Sequence, residues 1–214
     1  MKIIQCDQGS PEWHRARAGC ITASMFATAR ERLKTGPGKG DYSAKAKEYA
    51  FRLAIERISG EPLDEGFETW QMRRGHELES EARMEHEAQT GLFVKRAGFV
   101  TTDDGLFGAS ADGLIDPDGG SEYKCFVAPD KLRPILLDGD AKDVMEQAQG
   151  CMWLCGAKWW HVGLYCPALA SVGSQFTLIH VERDETFIEA MEADLIKFER
   201  LVTEYETRLR QRAA

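Results

Sequence analysis

The chain has 214 residues, 43% of them hydrophobic, and a formal net charge of −8. That length and apolar content suit one sizeable core and a single domain over residues 1–214, and no run approaches the ~18 consecutive apolar residues of a membrane-spanning helix. The start, Met1-Lys2-Ile3-Ile4-Gln5-Cys6, lacks the apolar stretch of a secretory signal, and six cysteines without a CxxC pair read as reduced thiols, so a cytoplasmic setting is expected.

The first 52 residues carry ten Lys/Arg against five Asp/Glu, leaving 17 against 30 for the rest. The overall acidity therefore does not exclude a polyanionic partner, which needs only local positive potential. Ser10-Pro11-Glu12-Trp13 opens a short helix, with Ser at the N-cap and Pro at the first helical position, and Gly19 closes it. Ser24 is placed to cap a second helix from Met25 to about Leu33. After the basic loop Thr35–Gly40 comes a third helix, roughly Ser43 to Ile58. A fourth runs from about Thr69 to Gln89.

The middle is strand-like: Leu92–Val94, Gly98–Thr101 and Leu106–Ala109. A hairpin follows, Ala111–Ile115 and Ser121–Cys125, around the turn signal Asp116-Pro117-Asp118-Gly119-Gly120. A helix from Lys142 to Leu154 precedes strands at Trp160–Cys166 and Phe176–Val181. A long amphipathic helix from Asp184 to about Arg210 ends the chain, with Phe187, Met191, Leu195, Phe198, Val202, Tyr205 and Leu209 spaced by threes and fours. Such a stripe packs on its parent domain more often than it forms a coiled coil.

The hairpin carries the chemistry. Strand side chains alternate faces, so Glu122 and Lys124 point one way and Tyr123 the other. Pairing symmetric about Pro117 sets Asp112 opposite Glu122, bringing two carboxylates and an ammonium to one spot. Hard divalent cations take carboxylate oxygens, and phosphodiester hydrolysis uses a metal, a positioned water and a nearby cation. The plainer alternative is an exposed hairpin with a cross-strand charge pair. Other features carry similar alternatives. Glu79, in Arg73-Arg74-Gly75-His76-Glu77-Leu78-Glu79-Ser80-Glu81-Ala82, could pair with Arg83. Gln147 on a half-buried helix needs partners for both amide ends. Arg17, Thr22 and Ser24 near a helix start would suit a phosphate, with Ser24 as a plain cap the alternative. Cys151, Cys155 and Cys166 raise an iron–sulfur cluster, although the spacing fits no ferredoxin pattern.

Taken together, Trp13-x-x-x-Arg17-x-Gly19-x-x-Thr22-Ala23-Ser24, Gly75-x-x-x-Glu79-x-x-Ala82, Ser110-x-Asp112-Gly113-Leu114, Glu122-x-Lys124-Cys125, Gln147-x-Gln149-x-x-Met152-Trp153 and Glu182-Arg183-Asp184-Glu185 resemble the phage lambda exonuclease family, the YqaJ-type viral recombinases. Six pieces in order span most of the chain. The resemblance implies an α/β fold with a restriction-endonuclease-like PD-(D/E)xK core, a central mixed β-sheet flanked by helices, and a long C-terminal helix. It implies a 5′→3′ exonuclease that digests one strand of linear double-stranded DNA to mononucleotides. Asp112, Glu122, the main-chain carbonyl of Tyr123 and Glu79 would hold two Mg²⁺ ions roughly 3.5–4 Å apart, with Mn²⁺ able to substitute. Lys124 would orient or deprotonate the attacking water, or stay charged and stabilise the transition state. Gln147 would hold the water or the phosphate, and Arg17, Thr22 and Ser24 would receive the 5′-terminal phosphate. Family members form a homotrimeric ring, work with a single-strand annealing protein in recombination, and act in a bacterial host cytoplasm. Phe126 stands where the lambda enzyme has proline, and either Asp103 or Asp104 could match a further family aspartate. The competing expectations are an endonuclease on the same fold and a catalytically idle DNA-end-binding module.

Overall fold

Ser10, Ser43 and Asp184 each sit where a short polar side chain can cap a helix, and in the computed structural model all three do so. The structure describes residues 1–63, 70–125 and 129–212. The chain forms two compact units: Met1–Asp64 with Gly98–Ser110 and Asp184–Ala214, and Glu65–Ala97 with Ala111–Arg183.

In the first unit, the Ser10 hydroxyl accepts from the Trp13 N–H at 3.2 Å to start α1, Pro11–Arg17. β1, Lys2–Ile4, pairs antiparallel with β3, Phe99–Thr101, which pairs with β4, Phe107–Ser110, and β4 pairs in parallel with β2, Ile21–Thr22. The second expected helix is shorter than its sequence suggests. A 3₁₀ turn at Ala23–Met25 precedes α2, Phe26–Arg30, and Met25 rather than Ser24 takes the cap position. Beyond Arg30 the chain is drawn into a bridge between Arg32 and Tyr42, which ends the helix before Leu33. α3, Ala44–Ser59, runs from the Ser43 cap to Gly60 at φ 72°, a left-handed position that glycine adopts freely. α7, Glu185–Gln211, starts at the Asp184 cap and buries Ile188, Met191, Leu195, Phe198 and Val202. The stripe lies against α3 and α2, so it packs within its own unit. Phe187, expected in the stripe, is half-buried beside Arg30 instead.

The second unit is a four-stranded sheet in the order β5-β6-β7-β8. β5, Gly113–Ile115, and β6, Gly119–Cys125, form the hairpin; β7, Trp159–Tyr165, runs parallel to β6; and β8, Phe176–Glu182, closes the edge antiparallel to β7. α4, Trp70–Thr90, packs on β6 and β7. The expected first residue of this helix, Thr69, lies outside the described residues, as does Phe126. α5, Pro129–Asp138, and α6, Lys142–Cys155, form the crossover from β6 to β7. Leu92–Val94 is not a strand: Lys95 alone makes an isolated bridge with Leu114, and Phe93 is exposed. Gly119 and Gly120 let β6 lie close under Trp159 and Trp160, whose ring atoms stand 2.1 Å from where each Cβ would be. The fold is thus mixed α/β, with two mixed sheets, flanking helices and a long C-terminal helix.

Candidate active site

The hairpin register, Gly113 with Ser121, Leu114 with Gly120 and Ile115 with Gly119, is centred on Pro117 as symmetric pairing requires. Asp112 lies one residue before β5, and its Oδ2 accepts from the Tyr123 N–H at 2.6 Å. Lys124 Nζ donates to Glu122 Oε1 at 2.7 Å and to Gln147 Oε1 at 2.8 Å. Gln147 Nε2 donates to the same Glu122 oxygen. Asp112, Glu122, Lys124 and Gln147 are therefore brought together from β5's start, β6 and α6. On the opposite face of β6, Tyr123 packs with Leu78, Ala82 and Tyr165.

The electrostatics of the group are those of crowded acids. Burial, then the neighbouring carboxylates of Glu122 and Glu79, push Asp112 well above the usual aspartate range. Burial and the Glu122 charge likewise raise Glu79, against a partial offset from His76, which puts Glu79 within electrostatic reach of the set. Burial works against the Lys124 ammonium, but the Glu122 carboxylate outweighs it and its pKa ends above the ordinary lysine value. Among the described residues no three His, Cys, Asp or Glu side chains are gathered into a ready-made cation cage. Asp112 and Glu122 each give an oxygen to protein donors. Glu122 Oε2, however, is buried with no hydrogen-bond partner among the described residues, which is costly for a carboxylate oxygen. An orphaned acceptor in a cluster of mutually repelling carboxylates fits a hard divalent cation, which supplies the missing partner and relieves the repulsion.

The phosphate-binding candidates all lie in the first unit. Arg17 Nη1 donates to Ser110 Oγ at 3.0 Å, its guanidinium lies 4.0 Å from the Trp13 ring centroid, and Trp13 Nε1 donates to the same hydroxyl at 2.8 Å. Thr22 and Ser24 bring their hydroxyls 3.4 Å apart, and the Thr22 N–H donates to the Tyr49 hydroxyl at 3.2 Å. Sequence reasoning quotes Ser110 only as part of a motif; its position two residues before Asp112 is the signal that could have marked its hydroxyl.

Other motif residues hold structure. Gln149 Nε2 donates to the Glu182 carbonyl at 2.8 Å, and Arg183 donates to the carbonyls of Met152 and Ala157, tying α6 to the end of β8. Asp103 pairs with the Met1 amino group at 2.8 Å, and Asp104 accepts from Thr102 and the Leu106 N–H in a turn, so both upstream aspartates have local partners. A chain of contacts absent from the sequence reading runs behind the hairpin. His86 Nδ1 lies 2.9 Å from the Tyr123 hydroxyl, His86 Nε2 lies 2.8 Å from His161 Nδ1, His161 Nε2 lies 3.0 Å from His180 Nδ1, and His180 Nε2 lies 2.9 Å from Glu182.

A mixed sheet whose hairpin bears an Asp and a Glu-x-Lys, with a helix-borne Gln beside them, is the arrangement of an α/β nuclease fold. The chain belongs to the YqaJ-like viral recombinase family, whose model matches residues 12–158. It is similar to the crystal structure of an alkaline exonuclease, LHK-Exo, from Laribacter hongkongensis, with a TM-score of 0.79 and 28% identity over 95% of this chain and 98% of that one. The LHK-Exo complex with dAMP gives a TM-score of 0.81 at 28% identity, again over 95% and 98%. A phage-related exonuclease from Haemophilus somnus 129PT shares the fold, with a TM-score of 0.69 and 16% identity over 91% and 96%. No curated protein matches the sequence. Among the described residues no helix is long and apolar enough to cross a membrane.

Proposed function

We propose that the protein is a Mg²⁺-dependent 5′→3′ exonuclease that digests one strand of linear double-stranded DNA to mononucleotides, leaving 3′ single-stranded overhangs for recombination by strand annealing. The observation that carries the proposal is the meeting of Asp112, Glu122, Lys124 and Gln147 around a buried, unpartnered carboxylate oxygen. The similar alkaline exonuclease crystallised with dAMP supports a mononucleotide as the product class.

Asp112, Glu122, the Tyr123 carbonyl and Glu79 would hold the metal, Mg²⁺ or Mn²⁺. When bound there, two such ions would supply Lewis acidity to the scissile phosphate, to the attacking water and to the departing oxygen. Lys124, held by Glu122 and Gln147, would orient or deprotonate the attacking water, or stay charged and stabilise the phosphorane-like state. Gln147 fixes Lys124 and Glu122 and offers its amide to the water or the phosphate. Arg17, Thr22 and Ser24 grip the 5′-phosphate, so that cleavage begins at an end. The two units act as one nuclease domain over residues 1–214, in a homotrimeric ring with a single-strand annealing protein as partner, in a bacterial cytoplasm.

Linear duplexes labelled at the 5′ or the 3′ terminus, incubated with and without Mg²⁺ beside covalently closed circles, test the proposal. Release of 5′-labelled mononucleotides first, only with the metal and only from linear DNA, is expected. Cutting of closed circles would instead mark an endonuclease, and binding of ends without nucleotide release would mark an idle end-binding module.

A further inference from the structure

The segment from Arg17 to Ser24 is held by α3 at its bend, Gly19, and again at Thr22. Gly19 has φ 71°, and a Cβ there would stand 2.6 Å from Arg57 Cγ, so this peptide is pressed directly against the helix. Both of its polar groups are taken by consecutive α3 residues. The Gly19 N–H donates to Glu56 Oε2 at 2.8 Å, and Arg57 Nε donates to the Gly19 carbonyl at 2.9 Å. Three residues on, the Thr22 N–H donates to the hydroxyl of Tyr49, a third α3 residue.

The anchors are themselves fixed. Glu56 is 4% exposed, and its second oxygen accepts from Arg52 at 2.9 Å and from the Leu63 N–H at 3.2 Å. Arg57 pairs with Glu199 of α7 at 3.1 Å. The Tyr49 ring stacks on Phe198 with centroids 5.7 Å apart. Burying a carboxylate is expensive, and a main-chain N–H at an ordinary helix end could be satisfied by water, so this arrangement spends much on the geometry of one short segment. On one side of the anchored bend stands Arg17, itself held at Ser110; on the other stand the Thr22 and Ser24 hydroxyls. A phosphate grip built from side chains on both sides of the bend loses affinity when the supporting contacts loosen.

Resting on the reading of Arg17, Thr22 and Ser24 as the 5′-phosphate grip, we propose that Glu56 and Tyr49 are positioning residues that set the distance between the Arg17 guanidinium and the Thr22–Ser24 hydroxyls. They touch no phosphate. Glu56 acts through the Gly19 backbone, and Tyr49 through the backbone and side chain of Thr22.

The test is equilibrium binding in EDTA, where nothing is hydrolysed, to linear duplexes with 5′-phosphate or 5′-hydroxyl ends. The readout is the ratio of the two dissociation constants for wild type, Arg17→Ala, Tyr49→Phe, Glu56→Ala and Glu56→Gln. Tyr49→Phe keeps the ring and its stack and loses only the acceptor, and the ratio should fall roughly fivefold, the worth of one hydrogen bond. Glu56→Ala should fall at least as far, while Glu56→Gln, which still offers an oxygen to the Gly19 N–H, should recover most of the ratio. If Glu56→Ala does not fold, Tyr49→Phe decides alone. An unchanged ratio in Tyr49→Phe, or equal weakening on both ends, overturns the positioning role while an Arg17→Ala loss leaves the grip standing. A wild-type ratio near one, or no loss in Arg17→Ala, overturns the grip itself.

Discussion

Under the proposed mechanism, Asp112 is the residue at which stability and chemistry pull in opposite directions. Its carboxylate is raised by burial and by Glu122 and Glu79, so without metal its charge works against the fold. Asp112→Asn keeps an oxygen for the Tyr123 N–H and removes the repulsion. In EDTA the variant should melt about 2–4 °C above wild type, the shift that about 1 kcal/mol gives a domain of this size. Mg²⁺ should reverse the order, because a ligand at 100 times its dissociation constant adds about 2.7 kcal/mol to the form that binds it. Scanning calorimetry with and without Mg²⁺ checks both arms, and a lower melting point for the variant in EDTA would sink the account. Lys124 and Glu122 make a simpler case. Either one changed to Ala should cut release of acid-soluble nucleotides roughly 10³-fold or more, since in the proposed mechanism each supplies charge at the reacting phosphate. Circular dichroism should still report a folded chain. This trio is legible in the sequence because strand alternation and the Asp116–Gly120 turn chemistry together fix which side chains meet.

At the scale of elements, legibility follows how local the determining contacts are. α1, α3 and α7 announce themselves through Ser10, Ser43 and Asp184, caps that act within four residues. β1 and β2 do not, because strands of two or three residues exist only by pairing with β3 and β4 far along the chain. α5 is hidden by Pro134 inside it, which reads as a breaker. Gly119 and Gly120 look like turn residues in the sequence, yet they are strand residues lying under two tryptophans. Gly120→Ala should therefore destabilise the protein by about 1–3 kcal/mol, the usual range for overpacking, as read by urea unfolding. The histidine chain is equally non-local, since it needs the β7–β8 register that sets His161 opposite His180. A single direction of donation, from the Tyr123 hydroxyl outward to Glu182, lets the His86 and His161 rings stay neutral. Burial, then His86 and His180, lower His161 to about 4, and burial lowers His86 against the pull of Glu87. The unfolded chain, with histidines near about 6.5, then binds more protons than the native one as pH falls. Stability should be full above that value and drain away toward about pH 4. His161→Gln, which can both donate and accept, should flatten the fall of the urea midpoint between pH 7.5 and pH 5. An equally steep fall in the variant would assign the pH dependence elsewhere.

At the scale of the whole molecule, the proposed exonuclease, with a net charge of −8, would have to stay on DNA through many cuts. An open groove would have to hold on by Coulomb attraction, and contacts with phosphates weaken steeply with salt because each one releases a counterion. A closed ring retains its substrate by topology, which salt does not screen. The two mechanisms separate cleanly when loading and run length are measured apart, using a pre-bound labelled duplex, Mg²⁺ to start the reaction and excess unlabelled DNA as a trap. Raising salt from 50 to 200 mM should slow loading, through the basic first 52 residues, while the length digested per binding event stays nearly constant. Sedimentation at the same protein concentration should give a species of three chains. If run length shrinks in step with loading, or the sedimenting species is a monomer, the grip is electrostatic and the ring is wrong. The proposed hydrolysis by Asp112, Glu122 and Lys124 would survive that outcome, because it is built on the hairpin of a single chain and not on how many chains surround the duplex.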